Sequence, residues 1–287
     1  MRWDTIAFLI FCVCFCAISA PGVRAADVND LLEKGRAALA RGAGKEALEL
    51  ADKAVAAASK NAEALLLRGI VNEALENHKE AIADFDRMLA IDPKEAEAYN
   101  HRGSEQFKLG HLAESLADFD RFLELRPDER PGHWKRGITL YYLGKFDEGR
   151  KQFEGYEKVD TNDVENAVWH YLCTARLLGA DKARASLLKI GKDARVPMME
   201  VYALFGGKAK PEDVLAAAED DRPSPAQLRQ RLFYAHLYLG LYAEVNGDKK
   251  KALEHMEKAA GEYRIGHYMG DVARVHAELL RKELKPK

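Results

Sequence analysis

Residues 62–95 read AEALLLRGIVNEALENHKEAIADFDRMLAIDPKE, and residues 96–129 read AEAYNHRGSEQFKLGHLAESLADFDRFLELRPDE. Laid one under the other, they match Arg68-Gly69 with Arg102-Gly103, Asp84-Phe85-Asp86 with Asp118-Phe119-Asp120, and Pro93 with Pro127. The frame extends both ways. Gly35, Gly69, Gly103 and Gly137 are each 34 residues apart, and so are the small residues Ala47, Ala81, Ser115 and Gly149. Phe153 continues the series of Phe85 and Phe119, with Ala51 in that slot of the first unit. Units therefore begin at Val28, Ala62, Ala96 and Arg130. Self-similarity at such a period means a stack of small supersecondary units.

Each unit reads as two helices. Ile82, Phe85, Met88 and Leu89 share one apolar face at helical spacing. The glycine at the eighth position lets the first helix approach its partner, the small residue at the twentieth does the same on the second helix, and the phenylalanine at the twenty-fourth fills the layer between them. Gly110 and Gly144 fall at the inter-helix turn, where positive φ is needed. One such pair cannot bury its apolar face alone, so pairs stack. The pattern resembles the tetratricopeptide repeat (TPR), whose signature runs through a large residue, Leu-Gly, Tyr, Ala, Phe and a closing Pro. The resemblance implies an all-α, right-handed superhelical solenoid of helical hairpins with a concave groove. Arg68, Arg102 and Arg136 stand where that family usually has leucine. Each comes with acids in its own unit, so structural Arg–Asp pairs are expected rather than a cationic ladder for an acidic ligand. In the fourth unit the acids near the phenylalanine thin out to Glu154, so Arg136 is the one expected to be free.

From Val164 the frame continues in deformed shape. In NAVWHYLC, residues 166–173, His170 takes the arginine slot and Tyr171 takes the glycine slot. Asn162 and Glu165 are expected to cap this helix, and Asp181 to Ile190 to form its partner, stopped by Gly191. Residues 192–232 leave the frame as an irregular helical insert, with helix starts at Pro197 and Pro211 and a capping box at Ser224 to Gln227. A sixth unit opens at Phe233, with Gly240, Gly247 and Ala252 in their slots and Met256 replacing the phenylalanine. An amphipathic capping helix with Val272, Val275, Leu279 and Leu280 on one side closes the chain. The domain plan is thus residues 26–191, 192–232 and 233–287. This order of parts is similar to that of the exported bacterial TPR lipoprotein NlpI, best over Arg136 to Gly144, Trp169 to Leu172 and Phe233 to Gly247. That resemblance implies a periplasmic adaptor gathering peptidoglycan hydrolases and other envelope proteins, as a homodimer.

The N-terminus, MRWDTIAFLIFCVCFCAISAPGVRA, has an apolar run from Ile6 to Ala20 and a small-residue site at Val23-Arg24-Ala25. It reads as a signal peptide over residues 1–25, so an exported, periplasmic or secreted protein is expected; the alternative is an uncleaved membrane anchor. Phe11, Val13 and Phe15 precede its cysteines where lipidation needs a small residue, which puts lipidation in doubt. Cys173 is the only cysteine of the mature chain, too few for an internal disulfide.

A formal net charge of −2 gives no basic excess for nucleic acid or for an acidic membrane surface. The chain has no HExxH, GxSxG, P-loop or Cys-x-x-Cys. No metal, cofactor or catalytic site is expected, and the bland reading of His170 and Cys173 is two packed helix residues, against the alternative of an enzyme at the break in the array. In TPR proteins a fixed set of first-helix positions faces the groove. Here these are Leu66 and Ile70; Glu97, Asn100, Ser104, Phe107 and Lys108; and Trp134, Ile138, Tyr141 and Tyr142. Aromatic residues are favoured at binding hot spots. A non-catalytic scaffold that binds proteins or peptides in this groove is therefore expected, with a self-assembling structural protein as a further alternative. Whether the groove takes a partner or is filled by residues 192–232 or 267–285 is left open by the sequence.

Overall fold

A computed structural model describes residues 25–156 and 158–285. The expected signal peptide, apart from Ala25, lies outside them. Among the described residues there is no strand, and no helix is long and apolar enough to cross a membrane. The chain is an all-α TPR solenoid. Four hairpins come first: α1 (Ala25–Ala40) with α2 (Gly44–Ala57), α3 (Ala62–Ala74) with α4 (His78–Ile91), α5 (Ala96–Lys108) with α6 (Leu112–Leu125), and α7 (Trp134–Tyr142) with α8 (Phe146–Tyr156). Then come α9 (Val164–Leu178), α10 (Ala180–Ala185), α11 (Met198–Phe205) and α12 (Pro211–Glu219). The long α13 (Pro225–Val245) pairs with α14 (Lys249–Ala260), and α15 (Tyr268–Leu284) closes the chain.

Two residue slots explain why these helices pair. Gly137 leaves room for Phe153, since a Cβ there would sit 2.6 Å from the ring. Gly69 and Gly103 make the same space for Phe85 and Phe119, and Gly240 for Met256. Phe85, Phe119 and Phe153 are at most 1% exposed, and burying such a side chain contributes about 1.5–3 kcal/mol. The second slot is the turn. At the end of α5, Gly110 has φ +77°, its N–H bonds Phe107 O at 2.9 Å, and His111 N–H bonds Gln106 O at 2.9 Å. This is a Schellman motif, which ties up the last free carbonyls of the helix. In the second unit the left-handed slot falls to Glu76, at φ 60°, whose carboxylate accepts from Arg264 at 2.6 Å.

The arginines are structural. Arg68 donates to Asp84 at 2.8 and 2.6 Å and to Asp52 at 3.0 Å. Arg102 repeats this with Asp118, at 2.8 and 2.6 Å, and Asp86, at 2.6 Å. Arg136 is not free as expected. It donates to Asp120 at 2.6 Å and to Gln152 Oε1 at 3.4 Å. Every arginine thus bridges to positions sixteen residues ahead and sixteen behind, and Arg136 keeps the pairing to the preceding unit. His170 continues the series, with Nε2 3.4 Å from Glu154.

After α9 the structure departs from the expected elements. The partner helix ends at Ala185 rather than Ile190: Ser186 turns its hydroxyl onto Lys182 O at 2.9 Å, and Leu187 and Ile190 pack on the core from non-helical chain. Gly191 therefore ends no helix; its N–H bonds Thr161 O at 3.2 Å. Asp163 rather than Asn162 caps α9, accepting from Glu165 N at 3.0 Å, while Asn162 accepts from Lys192 N at 3.1 Å. The capping box at Ser224 and Gln227 is present, and Pro211 opens α12. In α15, Val272, Val275 and Leu280 are buried, but Leu279 is exposed. Most of the core lies in two clusters, one running from α1 to the start of α5, the other from the end of α5 through α15.

Candidate functional site in the concave channel

The expected groove residues fall into two groups. Leu66 and Ile70, on α3, border an open apolar depression of about 330 Å³ with Leu39 and Leu67. The aromatic group is instead covered by the chain itself. Phe107 stacks on Tyr268 of α15 at 5.2 Å, and Trp134 meets the same ring edge-on at 5.2 Å. Tyr142 Oη lies 2.9 Å from His276 Nδ1, and Tyr141 donates to Glu244 of α13 at 3.3 Å. Arg274 of α15 donates to the main-chain oxygen of Lys108 at 2.6 Å. Ile138 is 1% exposed in the same cluster. Of the two chain segments the sequence allowed, the closing helix lies over Phe107, Trp134 and Tyr142, while Tyr141 is bonded to α13. The reason is hydrophobic: α15 has an apolar stripe to bury, and these rings supply the complementary surface.

Between the two groups lies a polar band. Lys108 donates to Glu105 at 2.5 Å and Glu73 at 3.4 Å, His101 Nδ1 is 2.7 Å from Glu73, and His78 Nδ1 is 2.6 Å from Glu105. Burial works to raise the Glu73 carboxyl, but the hydrogen bond from His101 and the charges of His101, Lys108 and Lys135 together hold it down at about 2. His133 Nε2–H donates to Asn100 Oδ1 at 3.1 Å, its Nδ1 being the acceptor for Arg136 N–H. Lys135 donates to Ser104 at 3.1 Å, and burial lowers its pKa.

A cavity of about 210 Å³ opens beside the aromatic group, with Trp134, Tyr156 and Trp169 in its wall and Asp163, Glu165 and Arg195 on its polar side. Arg195, from the insert, bonds Asp163 at 2.7 Å, Glu165 at 2.5 Å, and Asp193 at 2.9 and 2.5 Å. Tyr238 donates to Glu165 at 2.6 Å. Burial pushes the Asp163 and Glu165 carboxyls up; in Asp193 the hydrogen bonds from Arg195 outweigh burial and hold it down. None of the three carboxylates was foreseen as a site residue. The sequence shows Asp163 and Glu165 only as helix-start acids, and Arg195 arrives some thirty residues later.

His170 and Cys173 are packed helix residues. Cys173 is fully buried, and burial pushes its thiol up to about 12, so almost no thiolate nucleophile is present at neutral pH. Among the described residues, no three His, Cys, Asp or Glu side chains are grouped to hold a metal ion.

With this geometry in place, the comparisons identify the class. Two tetratricopeptide repeat family models match the chain, over residues 32–96 and 67–133, and this part of the chain is a TPR array. A tetratricopeptide repeat protein from Parabacteroides merdae superposes with TM-score 0.57 and 17% identity, over 89% of this chain and 99% of its own. MamA protein superposes with TM-score 0.53 and 16% identity, over 70% of this chain and 100% of its own. A MamA fragment (41-end) from Desulfovibrio magneticus RS-1 does so with TM-score 0.53 and 16% identity, over 57% and 92%. At these identities the likeness is one of fold alone. No curated protein matches the sequence.

Proposed function

We propose that the chain is a non-catalytic scaffold that binds partner proteins or peptides through the open end of its concave face. TPR repeats serve this role in general, and one observation here carries the reading. The channel receives a helix at one end, the chain's own α15, and the other end keeps an apolar, open surface at Leu39, Leu66 and Ile70. A helix or extended segment of a partner continues that packing by burying its apolar residues there. Residues 1–25 support an exported location, and the order of units after Arg136 supports an adaptor of the NlpI kind for cell-envelope proteins, with a homodimer as its assembly. A net charge of −2 disfavours nucleic acid as the partner.

The test is capture of partners from an exported fraction with the full chain, compared with Leu66→Glu and Ile70→Glu. Both side chains are half-buried at the depression, on the outer edge of the α1–α5 core. Loss of the same partners in both variants, with unchanged helicity, is expected. An unchanged set of captured proteins contradicts the groove assignment.

A further inference from the structure

The cavity beside the covered aromatic group does not serve the hairpin stack, and its chemistry is specific. Its wall carries the aromatic residues Trp134, Tyr156 and Trp169. Its polar side carries Asp163 and Glu165, which share a single guanidinium, that of Arg195, with Asp193. Three carboxylates against one cation leave this corner anionic, and the N-terminal amides of α9 offset only part of that charge: Val164 N–H goes to Asp193 and Glu165 N–H to Asp163. A second observation is independent of the charge. Asn166 and Trp169 also belong to the wall and are 4% and 2% exposed, yet among the described residues Asn166 Oδ1 and Trp169 Nε1 have no hydrogen-bond partner. Buried polar atoms are seldom left so, and Asn166 Oδ1 is an acceptor next to an anionic corner.

Aromatic faces, excess carboxylate and an unfilled acceptor are what a cationic N–H group needs. At about 210 Å³ the cavity is smaller than the usual site for a whole small-molecule ligand. We propose that it receives the cationic end of an arginine or lysine side chain presented by a partner polypeptide. The N–H donors would reach Asp163 and Asn166, and the charge would lie against Trp134. This rests on the scaffold reading above and adds to it the chemistry of the partner: an anchor residue of positive charge, read beside the groove.

The test uses the full chain and intrinsic fluorescence, with Trp134 and Trp169 in the cavity wall as reporters. The probes are three short peptides alike except for one central residue, which is arginine, lysine or the neutral arginine isostere citrulline, together with free arginine. The arginine and lysine peptides are expected to bind at least tenfold more tightly than the citrulline peptide, and more weakly as salt is raised. Asp163→Asn, which keeps a good helix cap, and Trp134→Leu are each expected to lower the arginine peptide's affinity tenfold or more. Equal binding of the citrulline peptide, or affinity untouched by both substitutions, overturns the proposal. Tighter binding of free arginine than of the peptide overturns the polypeptide source in favour of a small metabolite. If no probe binds while partner capture still depends on Leu66 and Ile70, the scaffold reading stands and this inference falls.

Discussion

Gly137→Ala isolates the contact that sets the spacing of the helix pairs. The added Cβ would lie 2.6 Å from Phe153 Cζ, and 2.9 and 3.0 Å from the two neighbouring ring carbons. Real Cβ atoms do not approach so closely, so the ring or the helix must move. Phe153 is 1% exposed and stacks on Trp169 with ring centres 6.4 Å apart, so its ring moves only by disturbing that stack or by entering the cavity it borders. Overpacking of this kind costs about 1–3 kcal/mol. Alanine's better helix propensity returns about 1 kcal/mol. The net expectation is a loss of about 0–2 kcal/mol, read by urea denaturation with far-ultraviolet circular dichroism and with tryptophan emission from the same region. Gly110→Ala is the comparison, because no atom of the described residues lies within 4 Å of a Cβ added there and φ is +77°. Its cost, about 1 kcal/mol, is backbone strain alone. The two differ in rescue. Phe153→Leu should offset part of the Gly137→Ala loss, so that the double variant falls short of the summed single losses by about 0.5 kcal/mol or more, and should add independently to Gly110→Ala. A stabilising Gly137→Ala, or strict additivity with Phe153→Leu, refutes the account of the pairing.

Arg102→Met leaves Asp118, whose side chain is 8% exposed, without its cation, and is expected to cost about 3 kcal/mol in chemical denaturation; Asp86→Asn, at a 55% exposed partner, should cost less than about 1. Acid should destabilise the fold. Burial lowers His133 to about 3 and His236 to about 4, so between the ordinary histidine range and those values the unfolded chain takes up protons that the folded chain refuses. That contribution is intact above about pH 7 and is lost as pH falls, about 2 kcal/mol per histidine by pH 5. Burial-raised carboxyls such as Asp163 and Glu165 work the other way, so the deciding readout is the pH 7.5 to 5.0 difference in stability, which His236→Phe should shrink by about 2 kcal/mol. Cys173, with its thiol pushed up to about 12, should stay inert to an aromatic disulfide reagent at pH 8 in native protein and react at once in denaturant; rapid native labelling would mean that the thiol is accessible.

The helical hairpins were legible because their determinants are local and periodic. Gly69 with Phe85 and Gly103 with Phe119 lie within one unit, so one period displays the whole contact. The pairing of Arg136 with Asp120 was readable by the same logic, since Arg68 with Asp52 and Arg102 with Asp86 sit at the same offset, but counting acids only within a unit hid it. The covering of the channel was not legible. Phe107 and Tyr268, or Tyr142 and His276, are more than a hundred residues apart, and an amphipathic α15 fits a solenoid end as well as a concave face. The early end of α10 also escaped, because Leu187 and Ile190 keep a helical apolar spacing while packing from irregular chain.

The return of the C-terminal segment onto the early repeats is the claim on which the divided channel depends, and a zero-length cross-link reads it. Arg264 and Glu76 are 2.6 Å apart, so Arg264→Lys followed by carbodiimide coupling at low protein concentration should yield, in the monomer fraction, a peptide pair joining residues 76 and 264 by mass spectrometry. The pair Lys249 and Glu283, between α14 and α15, serves as the internal positive control. Coupling of 249 to 283 without any product joining 76 to 264 would show that α15 and the loop before it do not lie in the channel, and the account of a groove closed at one end and open at the other would be wrong.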